Sequence, residues 1–558
     1  MAKTGKNILS IPDIILCAIP AFTFTAATDY IETGSFTPTV GYILASCVLF
    51  AVLLCITSLL RKSLLKVKTE PGGGHGIFHF FSRVMQNRFH ILIIAIVIFL
   101  CWIPALLLLY PGTLINDTWG ELIQFIKFNR GESGLSDHNP IFDTFLMGAF
   151  IVPIAQKTGE WHFVIFVYVV VQAFLSALAF SCTVSYALKK LNSGSKAALF
   201  MTIVYCLLPI YPASVQTVSK DALYAWIYVF FTIQYLEIVR SEGTVLRKTA
   251  FVIFFTLSAI LCCLTRKIGF YVVLASLLIL FPFCRKNRLL LLIPALCSVV
   301  IMNVVMPAVI TRLDAIPGGI QERYSLLFQM TARCFRDYPE DISEEEYAVV
   351  DKVLYPDEMA EAYDPTFADP VKKHIQKGAR EDYDEYLKVW FQMGKRHPDA
   401  YIAAANSMLA GWFSWTKYAP LMNMDHRNQL DSQYLPKWVG LRFISEETAR
   451  SYEMMFEKLY ENPFTRLFFT YGFYATLVPF FFAGTVLRKW KTGRPYWLAI
   501  VPLFLSLALG CWLAPASVYL EGKRYLYPIT YTIPLLCMWC LFIYRENNAR
   551  NEETAVSV

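Results

Sequence analysis

Apolar runs of about 20 residues recur along the chain, each long enough to cross a ~30 Å hydrocarbon core. They predict membrane helices near 11–30, 38–60, 89–110, 162–187, 197–215, 221–239, 249–264, 268–283, 289–310, 464–487, 495–514 and 525–544. Between 289–310 and 464–487 lies a polar stretch, 311–463, in which Ile342–Leu354 and Asp382–Met393 have the spacing of amphipathic helices and no alternation suggests a sheet. Residues 1–70 hold two leading helices, and Pro71-Gly72-Gly73-Gly74 opens a cytoplasmic linker over 71–88. Residues 89–310 form a first transmembrane module containing an outer loop at 111–160. The insert 311–463 is followed by C-terminal helices to 544 and a polar tail, 545–558, expected to be disordered. The expected fold class is thus an all-α polytopic membrane protein of about twelve transmembrane helices, with outer surface helices and a mainly helical extracytoplasmic insert.

Orientation follows from the basic residues of the short loops. Arg61, Lys62, Lys66, Lys68, Arg83 and Arg88 place the 61–88 loop in the cytoplasm. Lys189, Lys190 and Lys196 fall on the same side, as do Arg240, Arg247 and Lys248, then Arg285, Lys286 and Arg288, then Arg488, Lys489, Lys491 and Arg494. All agree only if the short apolar stretch 141–157, which contains Asp143 and Pro153, lies on or dips into the outer surface instead of crossing. Both termini are then cytoplasmic. The loops at 111–160, 216–220 and 515–524, the insert, and the turn at Arg266-Lys267 are outside.

Composition adds exclusions. The chain is 56% hydrophobic and only 17% charged, against about 25% in soluble domains, so a soluble enzyme is ruled out. The net charge of +7 sits in short loops, giving no footprint for nucleic acid. The insert is acidic, holding more than half of the chain's 43 Asp and Glu residues. Apart from Cys334, the cysteines lie in or beside apolar segments, so the insert has no internal disulfide, and no cysteine spacing suggests zinc. Residues 11–31 lack a small-residue cleavage site and are expected to form a first membrane helix, not a signal peptide.

Chemistry concentrates outside. An apolar span ends at Pro111-Gly112, and Asn116-Asp117 follows. Then come an amphipathic segment at 122–130, Ser136-Asp137-His138-Asn139-Pro140, and the surface segment 141–157. A carboxylate held at the membrane face can meet a lipid headgroup or take a proton from a hydroxyl; Asp117 is also well placed, before Trp119 and Glu121, to cap the helix that follows, and the two roles are compatible. Ser219-Lys220-Asp221 opens a span, where Asp221 serves as a ligand-handling acid or as an N-cap beside a snorkelling Lys220. Arg266 and Lys267 interrupt an apolar hairpin, and Arg524-Tyr525 precedes the last span. Cations here suit a phosphate or simple interfacial anchoring. Arg323-Tyr324 and Gln329…Arg333 face either the same cavity or solvent. His374, His397 and His426 have no metal-ligand spacing, and Trp412 and Trp415 suit a membrane interface better than a sugar site.

The order Asp117, helix 122–130, His138-Asn139-Pro140-Ile141, helix 141–157 and span 162–187 resembles the polytopic GT-C glycosyltransferases that use polyprenyl-phosphate-linked sugars, such as the protein O-mannosyltransferases and aminoarabinose transferases. It departs from their pattern in having Asn139 for the first Pro, and in lacking a second acid beside Asp117. The likeness covers roughly 89–310 and more loosely the C-terminal spans. It implies transfer of a sugar to an extracytoplasmic acceptor with inversion, with Asp117 as general base. It also implies substrate-binding roles for His138, Asp221, Arg266, Lys267, Arg323, Arg524 and Tyr525. Some members use a divalent cation, Mg or Mn, at the acidic residues; two acids, Asp117 and Asp221, without a tight cluster lead away from an obligatory one. The implied partners are the lipid-linked sugar, the acceptor and membrane lipids. Few Asn-X-Ser/Thr sites suggest a bacterial plasma membrane. A transporter or flippase of a lipid-linked intermediate is the alternative, against which stands the absence of repeated halves.

Overall fold

The structure is a computed structural model, and it describes residues 9–33, 39–66, 77–132, 134–322, 324–376, 382–415, 446–488, 495–513 and 522–556. Two leading helices, α1 (Ile11–Thr33) and α2 (Val40–Lys66), are followed by α3 (Ile77–Gln86) and α4 (His90–Leu108). The first outer loop carries a short strand, β1 (Thr113–Leu114), then α5 (Asn116–Arg130) and α6 (Ile141–Thr158). Next come α7 (Trp161–Lys189), α8 (Ser195–Leu207), α9 (Ile210–Val215), β2 (Thr217–Val218), α10 (Lys220–Ser241), α11 (Thr249–Thr265) and α12 (Lys267–Leu280). A long irregular helix follows, with α13 (Leu292–Val300) and α14 (Met306–Arg312) joined by a π-helical stretch at Ile301–Val305.

The insert comprises α15 (Ser325–Asp337), α16 (Glu344–Asp351), α17 (Pro356–Glu361), α18 (Asp369–Lys372), α19 (Tyr383–Arg396), α20 (Pro398–Phe413) and α21 (Glu446–Glu461). The chain closes with α22 (Pro463–Arg466), α23 (Val478–Leu487), α24 (Val501–Leu507) and α25 (Tyr527–Val556).

Among the described residues, seven helices are long and apolar enough to cross a membrane: Ile11–Tyr30, Val40–Leu64, His90–Leu108, Trp161–Lys189, Lys220–Ser241, Arg288–Arg312 and Arg524–Glu546. The other five apolar segments expected to cross form shorter helices, at Ser195–Leu207, Thr249–Thr265, Lys267–Leu280, Phe473–Leu487 and Tyr496–Trp512. The predicted span 197–215 breaks at Pro209, which separates α8 from α9. Helix α6 is not among the seven, and it packs on α5 and α7. The chain is therefore a predominantly helical membrane protein. Large apolar side chains such as Phe254, Leu278, Leu296 and Val304 stay exposed on its flanks, an arrangement suited to lipid rather than water.

Three expectations need correction. The 71–88 segment is no linker throughout, since α3 occupies 77–86; it buries Phe81 and Met85, and Ser82 donates a 2.8 Å hydrogen bond to Ser195. The tail is helical to Val556. No Gly or Pro follows Pro534 to stop the helix, and Tyr496 and the Asn192 carbonyl engage Glu546 and Arg545. Trp412 is not interfacial. It is fully buried, edge-on to Tyr471 at 5.3 Å, while Trp415 stacks on Phe24 at 4.5 Å.

The insert has its own core around Phe328, Val350, Leu354, Met359, Tyr386 and Met393. Gln329 holds the carbonyls of Asp364 and Phe367 at 2.9 Å, and Arg333 reaches Tyr30 of α1 at 3.3 Å. These two side chains tie the insert together and to α1 instead of facing a cavity. Tyr324 packs on Tyr383, and His397 stacks on Tyr338; Arg323 and His426 lie outside the described residues. At the opposite end of the bundle, buried Arg61 pairs with Asp13 and Tyr544 and fastens the leading helices to α25.

Candidate functional site: a buried ion network at the loop end of the bundle

A parallel two-residue sheet brings the first outer loop to the second. Thr113 pairs with Thr217 and Leu114 with Val218. The Gln216 side chain bridges Thr113 through bonds of 2.7 and 2.9 Å, and Gln172 of α7 donates to the carbonyls of Val215 and Thr217. The pairing needs glycine at 112. Its φ is +117°, and a Cβ there would stand 2.6 Å from Val169 Cγ2 and 3.0 Å from the Gln216 carbonyl. Thr118 then donates to the Val218 carbonyl, fixing the first turn of α5 against the start of α10.

This docking makes residues about a hundred positions apart into neighbours. Lys220 Nζ donates to Asp117 Oδ2 at 2.7 Å and also to Asn139 Oδ1. Arg524 Nη1 reaches the same Asp117 oxygen at 2.9 Å, and its Nε lies 3.6 Å from Asp221 Oδ2. Arg266 Nε is 3.3 Å from the other Asp221 oxygen. The Tyr525 ring sits between the two guanidiniums, 5.0 Å from Arg266 and 5.2 Å from Arg524. The loop before the last span, the α11–α12 turn and both outer loops thus converge on one network.

The local alternatives resolve from this geometry. Asp117 is not the N-cap of α5; Ile115 occupies that position without a side-chain bond. Ser219, not Asp221, caps α10, its Oγ accepting from the Ala222 amide at 3.2 Å. Lys220 points inward instead of snorkelling. Arg266 is buried, 5% exposed, so it is not an anchor. Lys267 stays apart, its side chain 44% exposed and paired with Asp137 at 2.9 Å. His138 is exposed, and its amide donates to Ser136 Oγ. The network takes the next residue, Asn139, which departed from the resembled pattern.

Two further acids lie behind Asp117. Glu121, one helical turn along α5, is 1% exposed and accepts from Thr144 of α6 at 3.4 Å. Asp143 of α6 is fully buried, and neither carboxyl oxygen has a hydrogen-bond partner among the described residues. Close packing of the two helices puts them there: a Cβ on Gly148 would stand 2.3 Å from the Phe125 ring. The charges respond to this setting. Burial opposes ionisation of Asp117, but Lys220 and Arg524 outweigh it and hold that carboxyl well below the usual carboxylate range. Burial, opposed by Lys220 and aided by Asp117, pushes Glu121 up to about 8. Burial next to Glu121 drives Asp143 well above the usual range too.

The acids do not fit a divalent cation. Asp117 faces Lys220 and Arg524, and Asp221 faces Arg266 and Arg524, so a metal ion at either acid would be repelled by two fixed cations. Among the described residues, no group of three or more His, Cys, Asp or Glu is placed to hold one.

Beside the network runs an apolar groove of about 390 Å³ between α6, the end of α11 and the π-bulged α13–α14 helix. Ile141, Phe142, Leu264, Ile301 and Val305 line it. Leu264 is two residues from Arg266, and Ile141 two from Asn139, so the groove and the network share their chain segments.

The sequence signals for Lys220, Asn139, Glu121 and Asp143 were weak. A charged residue inside the apolar stretch 141–157 was one, and a cation beside Asp221 another. Nothing local shows that either side chain points inward.

Fold and site together define a class: a helical membrane protein with a buried, charge-dense centre where its loops converge beside an apolar groove. More particularly, residues 129–556 match the model of DUF6020, a family of unknown function, and the chain belongs to that family. The match takes in Asn139, Lys220, Asp221, Arg266 and Arg524 and begins after Asp117. No curated protein and no solved structure matches the chain.

Proposed function

We propose that the protein is a membrane glycosyltransferase of GT-C type, moving a sugar from a polyprenyl-phosphate donor to an extracytoplasmic acceptor in the envelope, with the loop end of the bundle facing outward and about twelve helices crossing. One observation carries this reading: Lys220, Arg266 and Arg524 are gathered with Asp117 and Asp221 in a largely buried network, and an apolar groove is lined by Leu264 and Ile141, each two residues along the chain from a member of that network. An anionic headgroup on a long apolar chain needs that combination.

In this scheme the polyprenyl chain lies along the groove and its phosphate meets Arg266, Arg524 and Lys220. The acceptor oxygen attacks the anomeric carbon from the face opposite the phosphate. As that bond forms, the anomeric carbon–phosphate oxygen bond breaks and its electron pair leaves with the phosphate, whose growing charge the fixed cations stabilise. The acceptor's O–H proton passes to Asp117. Held by two cations, Asp117 is a weak base; a phosphate that engages Lys220 and Arg524 takes over part of their charge and raises its basicity. Donor binding thus prepares the base. The sugar and the acceptor are open, and a wall polymer, a lipid-linked glycan and a protein all suit the scheme.

The test is sugar transfer by purified protein supplied with radiolabelled polyprenyl-phosphate sugars, comparing wild type with Asp117→Asn. The reading expects transfer by wild type and its loss, by at least about 100-fold, in the variant, with donor still bound. Equal transfer by both removes Asp117 from the chemistry. Donor translocation without transfer by wild type favours a flippase.

A further inference from the structure

Glu121 and Asp143 have no place in that chemistry, yet they are among the most deeply buried acids of the molecule, at 1% and 0% exposure. Glu121 has a single weak bond, to Thr144, and both oxygens of Asp143 lack a partner among the described residues. An ionised carboxylate in such a setting is strongly disfavoured, and the group takes up a proton instead. The groups facing the pair are Lys220, Asp117 and Asp221, with Tyr168 from α7. Helix α11, which also packs on α6, carries no charged side chain between Thr249 and Thr265. Lys220 is the nearest cation, but its ammonium is engaged by Asp117 and Asn139.

The charge balance of the site then depends on these two protons. Lys220, Arg266 and Arg524 supply three positive charges, and Asp117 and Asp221 supply two negative ones. With Glu121 and Asp143 neutral, one positive charge is left over. With both ionised, the site is net negative. A second feature points to an anion. Arg266 is 5% exposed, and its Nη2 has no hydrogen-bond partner among the described residues. The guanidinium therefore holds a buried donor in reserve next to Asp221 and Tyr525.

We infer that Glu121 and Asp143 stand as uncharged carboxylic acids at neutral pH, and that their two protons make the network a receptor for a single phosphate-type anion, a property lost as the pair ionises. This rests on the phosphate-binding part of the proposed function and adds its regulation: the site accepts its anion at neutral pH and rejects it in alkali.

The experiment uses the full chain in lipid nanodiscs and phosphodiesters, which keep one negative charge across the pH range. Two probes are titrated calorimetrically, ethyl farnesyl phosphate for a lipid headgroup and diethyl phosphate for a free phosphate group. Measurements run from neutral pH to well above the titration of Glu121 near 8. Wild type is expected to weaken by up to about tenfold per pH unit above that point. Glu121→Gln, neutral at every pH, is expected to keep the neutral-pH affinity past Glu121's titration, with Asp143→Asn flattening the part of the fall that belongs to Asp143. Binding of the farnesyl diester alone assigns the anion to a lipid; equal binding of both probes assigns it to the phosphate group itself. Infrared spectroscopy provides a check that needs no ligand: wild type at neutral pH shows a protonated-carboxyl band, and each variant diminishes it. The inference is overturned if neither probe binds, if Glu121→Gln follows the wild-type pH profile, or if the band is unchanged by both substitutions. Sugar transfer is not measured, so an inactive transferase leaves the inference standing, and a pH-independent affinity overturns it in an active one.

Discussion

At the scale of residues, the site is a set of charged groups paired with one another in a largely buried setting. Asp117 is shared by Lys220 and Arg524, and Lys220 by Asp117 and Asn139. Removing one partner leaves the rest of the network with fewer bonds than it needs in a largely buried setting; without Lys220, Asp117 keeps Arg524 but Asn139 Oδ1 loses its donor. Lys220→Met is expected to destabilise the protein by about 1–3 kcal/mol. The double variant Lys220→Met/Asp117→Asn should recover part of that loss, and thermal unfolding in detergent measures both. Independent, additive losses would show that the two side chains do not interact.

The carboxyls also set opposite pH dependences. Asp117, lowered in the fold, stabilises at pH values above its unfolded value of 3.8, and that contribution is lost as pH falls below it. Glu121 is raised from 4.5 to about 8. The folded state therefore binds more protons than the unfolded state in that window, and stability declines as pH rises through it. Unfolding temperatures of Glu121→Gln and wild type should be similar below pH 4.5 and diverge in favour of the variant up to about pH 8. A constant difference across the window contradicts a buried, protonated Glu121.

At the scale of elements, the apolar spans were legible because twenty consecutive apolar residues have few alternatives in water. Asp117, Asp221, Arg266 and Arg524 stood out because charge at the edge of such runs is unusual. What the sequence did not reveal is direction. Lys220 beside Asp221 has the pattern of a snorkelling lysine, and only the β1–β2 pairing turns its ammonium toward Asp117. Asn139 and His138 are adjacent, and the bend before α6 decides which one faces inward. The shortened helices were unreadable for a similar reason. The π-helical stretches at Ile301–Val305, Phe473–Leu477 and Ala508–Trp512 arise within apolar runs that carry no local mark of them, although such bulges often accompany functional sites. One border of the groove is formed by the first, and Gly510 in the third lies against Arg266.

The two-strand clip is the element most open to test. Gly112→Ala places a methyl group against Val169 and strains a positive φ. It is expected to lower the unfolding temperature and weaken phosphodiester binding together, because the clip aligns α5 with α10. Adding Val169→Ala should relieve the contact with Val169 and leave the backbone strain and the close approach to the Gln216 carbonyl. Unchanged binding in Gly112→Ala would show that the clip does not position the network.

At the scale of the whole molecule, the ends of the bundle differ in kind. Loops rich in Lys and Arg collect at one end, with Arg61, Lys189, Arg240, Arg285 and Arg488. Asp117, Asp221 and the acidic insert are near the other. The positive-inside trend predicts that the site faces out. In a background with its own cysteines replaced, Asp137→Cys should react with an impermeant maleimide in intact cells, and Asn287→Cys only after permeabilisation. The reverse pattern would put the site in the cytoplasm and deny it a flipped, lipid-linked donor.

The central claim is that the ion network receives the phosphate of a lipid-linked sugar. Its most direct measurement is photocrosslinking with a polyprenyl-phosphate sugar carrying a diazirine next to the phosphate, with labelled peptides mapped by mass spectrometry on the reconstituted protein. The account predicts labelling confined to the segments around Asn139, Lys220, Arg266 and Arg524, competed by unlabelled donor and lost in Arg266→Gln/Arg524→Gln. Labels scattered over the lipid-facing helices, unaffected by competitor or by the double substitution, would contradict it.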